Sequence, residues 1–478
     1  MKATFDVLDR GWIPVVSESG EKLLLGIRDT LARAHELREI SDPSPLEEYS
    51  LYRFLGLFLM DALRPEEEAD IEDLYENGRF DMEQVERYIA QCRSEGVSFD
   101  LFDEERPFLQ SKYDPKCDGQ EKPVAALDCT LPSGNNHTHF HHARPERLGP
   151  ERSLRLLLAT YWFCTAGAQG YPSGVYGAPP FFGVIKGTNL FETLTALLIP
   201  VENIGIPFDT PPILWRRREP IQGKAEIGST SWLHGLLFPT RRIHLIPDES
   251  GAVIGAHISQ GENYLNKEAW RDPYATYRSN DASVFPLRPH MDSPIWRNYC
   301  DIIDIPGNHA SQMLRLYRSI QNAQDVHLTL YGVETSQASY LSVHRHDLTF
   351  PVRLAERDTI DLLTACIDDA QQLRRSLEKA LRDISAVPSS AVSNGSVQFD
   401  KVCETRFWLV CEKMSRGEHI SSQVYNDYRA DIAKDVLRVF DACLKSLKLR
   451  AHSLSDAEEK RRRLSSEANK LRKKEGKA

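Results

Sequence analysis

The strongest constraint on the fold comes from the last quarter of the sequence, where apolar residues recur with purely helical spacing. From Arg357 onward this spacing predicts four helices, over residues 357–384, 399–414, 421–449 and 455–474. Ser421 and Ser455 precede acidic or amide residues and resemble helix N-caps. Four consecutive helices with short links form an antiparallel bundle. We therefore expect residues 357–478 to be a C-terminal antiparallel four-helix bundle.

The preceding residues, 1–356, mix helical and strand periodicity. Short strands are predicted near residues 12–16, 181–186 and 243–246, and helices over residues 27–40, 46–63, 151–165 and 190–198. This part is expected to be one large mixed domain. The predicted fold class is therefore α+β, with the mixed domain at the N-terminal side of the bundle.

A β-hairpin is predicted near the end of the mixed domain, from Val326 to Phe350. Apolar and polar residues alternate on both sides of a polar run at residues 334–337. Gly332 is interpreted as a bulge or as a close approach of two backbones. The tip carries no obvious nucleophile. An amide side chain on a stiff hairpin is suited to contacting a partner rather than to catalysis.

A glycine-rich segment at residues 167–177 contains four glycines in eleven residues. It lacks the lysine of a P-loop and the spacing of a dinucleotide fingerprint, and Pro172 interrupts it, so the pattern argues against nucleotide binding. Glycines without that pattern still allow a backbone to approach a flat surface closely. The floor of a DNA minor groove is such a surface.

A histidine-rich run at residues 137–142 lies where regular structure fades. Four histidines in six residues could chelate a metal and serve a metal-dependent hydrolase or nuclease. However, His141 stands where the metallo-β-lactamase pattern has a carboxylate, and no further ligand motif follows. The other interpretation is a polar loop that becomes ordered against a partner.

Charge and composition describe an acidic chain with one basic end. The net charge of the 478 residues is −10, yet residues 441–478 hold 12 Lys and Arg against 6 Asp and Glu. A local basic face can bind phosphates although the whole chain is acidic. No apolar run is long enough to span a bilayer and the start does not resemble a signal peptide, so a cytoplasmic protein is expected. Nine scattered cysteines without a C-x-x-C pair indicate reduced thiols.

The sequence contains no nucleophile elbow, H-E-x-x-H, Walker motif or paired carboxylates. The residues alone leave two functions open, a nucleic-acid-binding scaffold and a metal-dependent hydrolase. The arginines at 216–218 and 241–242 are interpreted mainly as solvated surface, and the basic last helix as either a solvated tail or a nucleic-acid contact. The polar hairpin, the glycine-rich segment and that helix favour the scaffold.

The order of these features resembles the CasA family, the large subunits of the type I-E CRISPR surveillance complex Cascade. The resemblance covers nearly the whole chain. It rests on four features: the opening Trp12-Ile13-Pro14, a polar loop before a glycine-rich loop, the hairpin Gln337-Ala338-Ser339 followed by Arg345-His346-Asp347, and the helical bundle.

This resemblance implies a protein that is not an enzyme and has no cofactor. Members of the family recognise the protospacer-adjacent motif of double-stranded DNA from the minor-groove side, and a glutamine-bearing hairpin wedges into the duplex beside it. Guide RNA then pairs with the opened strand. The implied partners are the other Cascade subunits, CRISPR RNA, double-stranded target DNA and a helicase-nuclease recruited after target binding.

The resemblance also implies a role for each candidate site residue. Gln337 is the wedge residue, with Ser336 and Ala338 beside it. Gly170 and Gly174 belong to the loop that reads the motif, and Lys267 takes the place of a minor-groove lysine. A polar loop that becomes ordered against RNA or a neighbouring subunit contains Asn135, Asn136, His137, His139 and Phe140.

Two departures from the family pattern are visible. Tyr171-Pro172-Ser173 interrupts the glycine loop, so the preferred motif can differ from that of other members. Residues 250–270 contain no cysteine, whereas some members have a cysteine-based zinc site before the hairpin. No bound metal is therefore expected.

Overall fold

The structure is a computed structural model. It describes every residue except 1, 2, 132–145, 165–170, 172, 173, 176, 280–282, 291, 292, 308, 322, 337, 338, 385, 386, 418–420, 448–450 and 474–478. The chain divides into a mixed unit, Met1–Asp292 with His309–Thr349, and a helical unit, Ser293–Asn308 with Phe350–Ala478. Within the described residues, no helix is both long and apolar enough to cross a membrane.

Helices and strands are interspersed in the mixed unit, and long helices dominate the helical unit. The helices are α1 (Ile27–Ala32), α2 (Pro45–Leu63), α3 (Glu68–Asn77), α4 (Met82–Ser94), α5 (Pro150–Phe163), α6 (Leu190–Thr195), α7 (Trp232–Leu236), α8 (Tyr299–Ile303), α9 (Gln312–Gln321), α10 (Arg357–Arg382), α11 (Ser389–Ser415), α12 (Ser421–Lys445) and α13 (Ala451–Lys473). The strands are β1 (Ile13–Ser17), β2 (Lys22–Leu25), β3 (Leu37–Ile40), β4 (Glu121–Pro123), β5 (Phe182–Ile185), β6 (Glu226–Ile227), β7 (Arg241–Pro247), β8 (Val253–Gln260), β9 (Asn263–Tyr264), β10 (Tyr277–Ser279), β11 (Val284–Pro286), β12 (Asp325–Ser336) and β13 (Ser339–Pro351). The predicted α+β class is confirmed.

Helix α2 lies at the centre of the mixed unit. The side chain of Ser44 accepts a hydrogen bond from the backbone N–H of Glu47, and Pro45 occupies the first turn, where its missing N–H costs nothing. Residues Leu46–Asp61 are buried on every side, not along the single apolar stripe that their spacing predicts. A helix buried all round is typical of the core of a large domain.

The strands of the mixed unit form small separate sheets. Among the described residues, three sheets have the orders β2-β1-β3, β13-β12-β5 and β4-β8-β7, and two are the pairs β10-β11 and β6-β9. In the second sheet β12 runs antiparallel to β5, with Leu328 opposite Ile185 and Tyr331 opposite Phe182. The predicted hairpin is therefore present as β12 and β13, with β5 as a third strand at its base.

The helix predicted over residues 27–40 is wrong in its second half. Helix α1 ends at Ala32, and β3 pairs antiparallel with β1, where Val15 lies opposite Ile40. Pairing with another strand outweighs the local preference of these residues, because strand formation depends strongly on tertiary context.

The helical unit contains the predicted four-helix bundle. Helix α10 contacts α11, α12 and α13, and α12 also contacts both α11 and α13. Residues 388–396, predicted as a link, belong largely to α11. A Cβ on Gly395 would lie 2.9 Å from Leu381 Cδ1 and 3.0 Å from Cys443 Sγ, so this glycine allows neighbouring helices to approach closely.

The helical unit also includes Ser293–Asn308, which the predicted boundary at residues 356 and 357 leaves in the mixed domain. Trp296 and Tyr299 pack against Phe407 of α11, with ring centroids 5.6 and 5.7 Å apart. Both rings are buried. Such packing joins segments that are distant in sequence, so no local pattern reveals it.

Candidate nucleic-acid interface

The glycine-rich segment forms a tight turn where the structure describes it. Gly174 and Gly177 form an isolated antiparallel bridge, and the Gly177 N–H donates a hydrogen bond to the Gly174 carbonyl at 3.1 Å. Gly177 has a φ of 78°, a left-handed conformation that favours glycine. Gly174 is buried, whereas Gly177 is partly exposed. Gly170 lies outside the described residues.

A cleft of about 500 Å³, here called the Lys267 cleft, opens beside this turn. Its lining includes Gly177 and three cationic side chains, Lys267, Arg271 and Arg288, with Glu268 as the one acidic residue among those that line it. A concave surface with this charge attracts polyanions. Gly177 and Lys267 are 90 residues apart in sequence, and the fold brings them to the same cleft.

Lys267 lies in the turn after β9. Its ammonium donates a hydrogen bond to Asn263 Oδ1 at 3.2 Å, and its backbone carbonyl accepts one from the Trp270 N–H at 3.3 Å. Partial burial lowers the pKa of Lys267 below its ordinary value. A phosphate group in the cleft would favour the charged form and oppose this shift.

Sequence reasoning missed the part of the cleft that β11 and the residues after it supply. Arg288 Nε donates a hydrogen bond to the Ala178 carbonyl at 3.3 Å, and burial lowers the pKa of Arg288. Val284 and Phe285 remain 44% and 39% exposed. Apolar side chains beside cations can contact sugars and base edges in addition to phosphates. Arg288 belongs to no motif or periodic pattern of the sequence, so nothing local predicts this wall.

The tip of the hairpin is shorter than predicted. Strand β12 continues to Ser336, which is exposed, and β13 begins at Ser339. Glu334 therefore lies within a strand and is buried, where its Oε2 accepts a hydrogen bond from Ser342 Oγ at 3.2 Å. Gln337 and Ala338 lie outside the described residues. Their proposed role at the tip stays a prediction.

The base of the hairpin is bound to the central helix through one carboxylate, that of Glu48 on α2. Its Oε1 accepts a hydrogen bond from the Tyr331 hydroxyl of β12 at 2.6 Å and lies 3.5 Å from the ammonium of Lys186, directly after β5. Its Oε2 lies 3.1 Å from the guanidinium of Arg345 on β13. The Glu48 side chain is only 2% exposed. One buried group thus holds all three strands.

Lys186 completes this network, because its ammonium also donates to the Tyr52 hydroxyl at 2.6 Å. Burial lowers the pKa of Lys186 to about 8. Burial raises the pKa of Tyr52 and of Tyr331 well above the ordinary range, so both hydroxyls stay protonated and can donate. These four residues and Arg345 are called the Glu48 clamp: Glu48, Tyr52, Lys186, Tyr331 and Arg345.

Gly332 connects the hairpin to the wall of the Lys267 cleft. A Cβ at this position would lie 2.5 Å from Pro289 Cγ and 3.0 Å from Phe181 Cδ1. The nearest neighbours of Gly332 are thus side chains, which differs from the predicted close approach of two backbones. Pro289 directly follows Arg288 of the cleft, and the Phe181 N–H donates a hydrogen bond to the Leu287 carbonyl at 2.8 Å. A displacement of this wall would therefore also move the residues that pack against β12.

The two predicted arginine clusters are largely structural: Arg218 is exposed, and the interpretation as solvated surface is wrong for the other four members. Arg242 is buried and lies 2.9 Å from Asp118, and Arg216 lies 2.9 Å from Asp61. Asp61 is itself buried. These guanidinium groups neutralise buried carboxylates, and this explains why arginines occur inside the mixed unit.

Part of the positive charge of the basic helix α13 is neutralised by ion pairs within the bundle. Arg461 pairs with Asp441 of α12 at 2.7 Å, and Arg462 and Arg463 each pair with a glutamate four residues earlier in α13. Leu464 and Leu471 are buried. The helix is therefore a packed member of the bundle as well as a basic surface.

No metal site is found in the part of the chain that the structure describes: no group of three or more His, Cys, Asp or Glu side chains there could hold a metal ion. The histidine-rich run lies outside this part, so the loop and metal interpretations both stay predictions. The same holds for the proposed contact residues Asn135, Asn136, His137, His139 and Phe140.

A model of the family described as CRISPR-associated protein Cse1 matches residues 6–437. This chain belongs to the Cse1 family. A curated Cse1 relative, the CRISPR-associated protein CasA/Cse1 of Thermus thermophilus, is 28% identical over 405 residues, which cover 80% of this chain and 78% of the relative. The suspected CasA resemblance is confirmed.

Solved Cse1 structures have the same fold. Thermus thermophilus CasA (Cse1) matches with a TM-score of 0.75 and 23% identity, over 96% of this chain and 99% of that chain. Thermobifida fusca Cse1 matches with a TM-score of 0.79 and 18% identity, over 98% of each chain. A chain of a structure described as a CRISPR RNA-guided surveillance complex matches with a TM-score of 0.78 and 22% identity, over 97% and 99%.

Proposed function

We propose that this protein is the non-catalytic large subunit of a cytoplasmic CRISPR RNA-guided surveillance complex. It recognises the protospacer-adjacent motif in double-stranded DNA, helps to open the duplex for guide-RNA pairing and helps to recruit a helicase-nuclease. The observation that carries this proposal is the Lys267 cleft, where the glycine turn and Lys267 meet among cations. Membership of the Cse1 family supports it, as does the similarity to a chain of an RNA-guided complex.

Motif recognition is assigned to the Lys267 cleft. Gly177 offers a backbone without a side chain, and Lys267 and Arg288 offer donors for groove acceptors and phosphates. Minor-groove acceptors are similar for A·T and T·A pairs, so contacts of this kind distinguish few sequences. We therefore expect recognition of a relaxed set of motifs. Pairing with the guide RNA supplies the remaining specificity, as in other RNA-guided effectors.

Duplex opening is assigned to the hairpin. Extruding bases from a duplex costs a few kcal/mol, and a wedge can offset this cost only if it does not yield. The Glu48 clamp stiffens the base of the hairpin through three strands. The contact between Gly332 and Pro289 places the hairpin against the wall of the motif cleft. Motif binding and wedge insertion are therefore expected to occur together.

The test of the wedge is the substitution Gln337→Ala in the assembled complex. Because the side chain acts only on the opened duplex, we expect normal folding and nearly unchanged initial binding of motif-bearing duplex. Strand opening on linear DNA should slow by about tenfold or more, since each 1.4 kcal/mol of lost stabilisation is a factor of ten. Opening is measured with a fluorescent base analogue beside the motif.

The matched control for this experiment is Gln398→Ala, because Gln398 is an exposed glutamine on α11. This control should open DNA at the wild-type rate. Negatively supercoiled DNA should reduce the defect of Gln337→Ala, because supercoiling favours opening. Unchanged opening of linear DNA by Gln337→Ala would remove the wedge assignment.

A further inference from the structure

A second basic cleft, of about 570 Å³, borders the same glycine-rich segment. Its lining includes three lysines, one glutamate, one tyrosine and one cysteine: Lys116, Lys122, Lys224, Glu121, Tyr171 and Cys117. Tyr171 precedes Gly177 of the Lys267 cleft by six residues. The glycine-rich segment thus contributes one residue to each of two basic clefts in the mixed unit.

Tyr171 is held firmly in this second cleft. Its hydroxyl donates a hydrogen bond to the Ile258 carbonyl of β8 at 2.9 Å and accepts one from the Lys122 ammonium at 3.0 Å. The guanidinium of Arg241 lies 4.5 Å from the centroid of its ring, a cation–π contact. Tyr171 therefore fixes this part of the segment to the β4-β8-β7 sheet.

Lys224 has an unusual backbone at the edge of the cleft. Its φ is 62°, in the left-handed region, and its N–H donates a hydrogen bond to the Gly261 carbonyl at 2.9 Å. This conformation is unfavourable for a residue with a side chain, and such residues are concentrated at functional sites. Lys224 and Lys116 are both exposed, and neither pairs with a carboxylate among the described residues.

Asp118, an acid beside the cleft, is already paired within the protein. Ser259, which lines the cleft, donates a hydrogen bond to Asp118 Oδ1 at 2.7 Å, and Arg242 lies 2.9 Å from the same oxygen. The Asp118 charge is therefore already neutralised within the protein. The three lysines exceed the single glutamate of the lining, although the whole chain carries a net charge of −10.

We propose that this second cleft binds the sugar-phosphate backbone of the double-stranded DNA that adjoins the motif. The inference rests on the proposed function and extends it, because the glycine-rich segment would then lie between a motif-reading cleft and a phosphate-binding cleft. Phosphate contacts position a protein on a duplex without reading its sequence. The second cleft therefore sets affinity and register, and the Lys267 cleft sets motif preference.

The first test combines Lys116→Gln with Lys224→Gln in the assembled complex and leaves Lys122 to hold Tyr171. Each lost phosphate contact lowers the slope of log affinity against log salt by about one. We expect the slope to fall by about two. The ratio of wild-type affinity to variant affinity should therefore be about 16-fold larger at 50 mM salt than at 200 mM salt. This change should be the same for duplexes with and without the motif.

The control is Arg10→Gln with Lys22→Gln, which removes the same charge at two exposed residues that line neither cleft. It should leave the salt slope unchanged. A slope that falls equally in the control would show a general charge effect and overturn the proposal. Reduced retention of CRISPR RNA, with unchanged DNA affinity, would also overturn it and assign the cleft to RNA.

The second test uses Cys117, an exposed cysteine that lines the cleft. Bound duplex should slow its alkylation by a maleimide several-fold, measured by peptide mass spectrometry. If bound duplex left the alkylation rate of Cys117 unchanged and the lysine substitutions left the salt slope unchanged, the proposal would be overturned. If motif-free duplex protects Cys117 but the complex shows no motif preference, the phosphate cleft stands and the proposed motif recognition fails.

Discussion

At the scale of single residues, the candidate interface depends on where the backbone has no side chain. Gly177 needs a left-handed conformation, and Gly332 has no space for a Cβ beside Pro289 and Phe181. The sequence places Gly177 in a glycine-rich segment and Gly332 in a predicted hairpin. Only the fold shows that Gly177 lines a basic cleft and that Gly332 packs against the wall of this cleft. Gly174, chosen from the family resemblance, is the buried partner in the same turn.

Replacing Gly177 with alanine should weaken motif-dependent DNA binding. A left-handed alanine costs about 1–2 kcal/mol, so the turn would shift or the folded state would lose that free energy. We expect about tenfold weaker binding to motif-bearing duplex and little change on duplex without the motif, measured by titration of both. Gly205→Ala is the control, since Gly205 has no positive φ and no atom within 4 Å of a built Cβ. Equal weakening on both duplexes would contradict the assignment.

At the scale of secondary-structure elements, the Glu48 clamp joins the hairpin to the central helix. The two strands of the hairpin could be predicted, because alternation of apolar and polar residues is a local pattern. The Glu48 clamp could not, because its members come from α2, β12, β13 and the residue after β5. In the sequence, Glu48 looks like an ordinary acidic residue in the first turn of a helix. Burial and three partners give it a different role.

The substitution Glu48→Gln should destabilise the packing of the hairpin against α2. The amide keeps an acceptor for Tyr331 but leaves Arg345 and Lys186 without a carboxylate, and removing one partner of a buried ion pair costs about 3–5 kcal/mol. We expect a loss of about 3 kcal/mol of unfolding free energy and faster hydrogen exchange in β12 and β13. Duplex opening should fall more than motif binding. Exposed Glu18→Gln is the control, and unchanged exchange in both strands of the variant would contradict the clamp.

Lys186 makes stability depend on pH in a defined direction. Its pKa of about 8 in the folded protein lies below its ordinary 10.5, so between these values the unfolded chain binds more protons and unfolding becomes less favourable as pH rises. Lys186→Met removes this dependence. Between pH 8 and pH 10.5 the unfolding free energy of wild type should rise by about 3 kcal/mol relative to that of the variant, measured by urea unfolding. A constant difference across this range would contradict the lowered pKa.

At the scale of the whole molecule, the chain has two compact units, each with its own core. The helical bundle could be predicted because its long amphipathic helices carry a local period. Its first segment, Ser293–Asn308, could not, because it joins the unit through the packing of Trp296 and Tyr299. The Lys267 cleft escaped prediction for a similar reason, since its lining comes from separate stretches of the chain.

Two buried tryptophans allow the separate cores to be tested. Trp296 is 1% exposed in the helical unit and Trp12 is 0% exposed in the mixed unit. Replacing a buried tryptophan with alanine costs about 3–5 kcal/mol. Trp296→Ala should accelerate hydrogen exchange mainly in α10 to α13, and Trp12→Ala mainly in the β2-β1-β3 sheet and α2. If either substitution accelerated exchange equally in both units, the cores would not be independent.

The pairing of β5 with β12 has a consequence for how the protein is made. Ile185 pairs with Leu328, so β5 leaves the ribosome about 140 residues before its partner strand. At about 5–20 residues per second, this delay lasts about 7–30 s. Throughout that time the apolar strand Phe182–Ile185 has an open edge, and exposed edges of this kind promote aggregation. The nascent chain is therefore exposed to aggregation through β5 in this interval, when a chaperone that shields this strand would be useful.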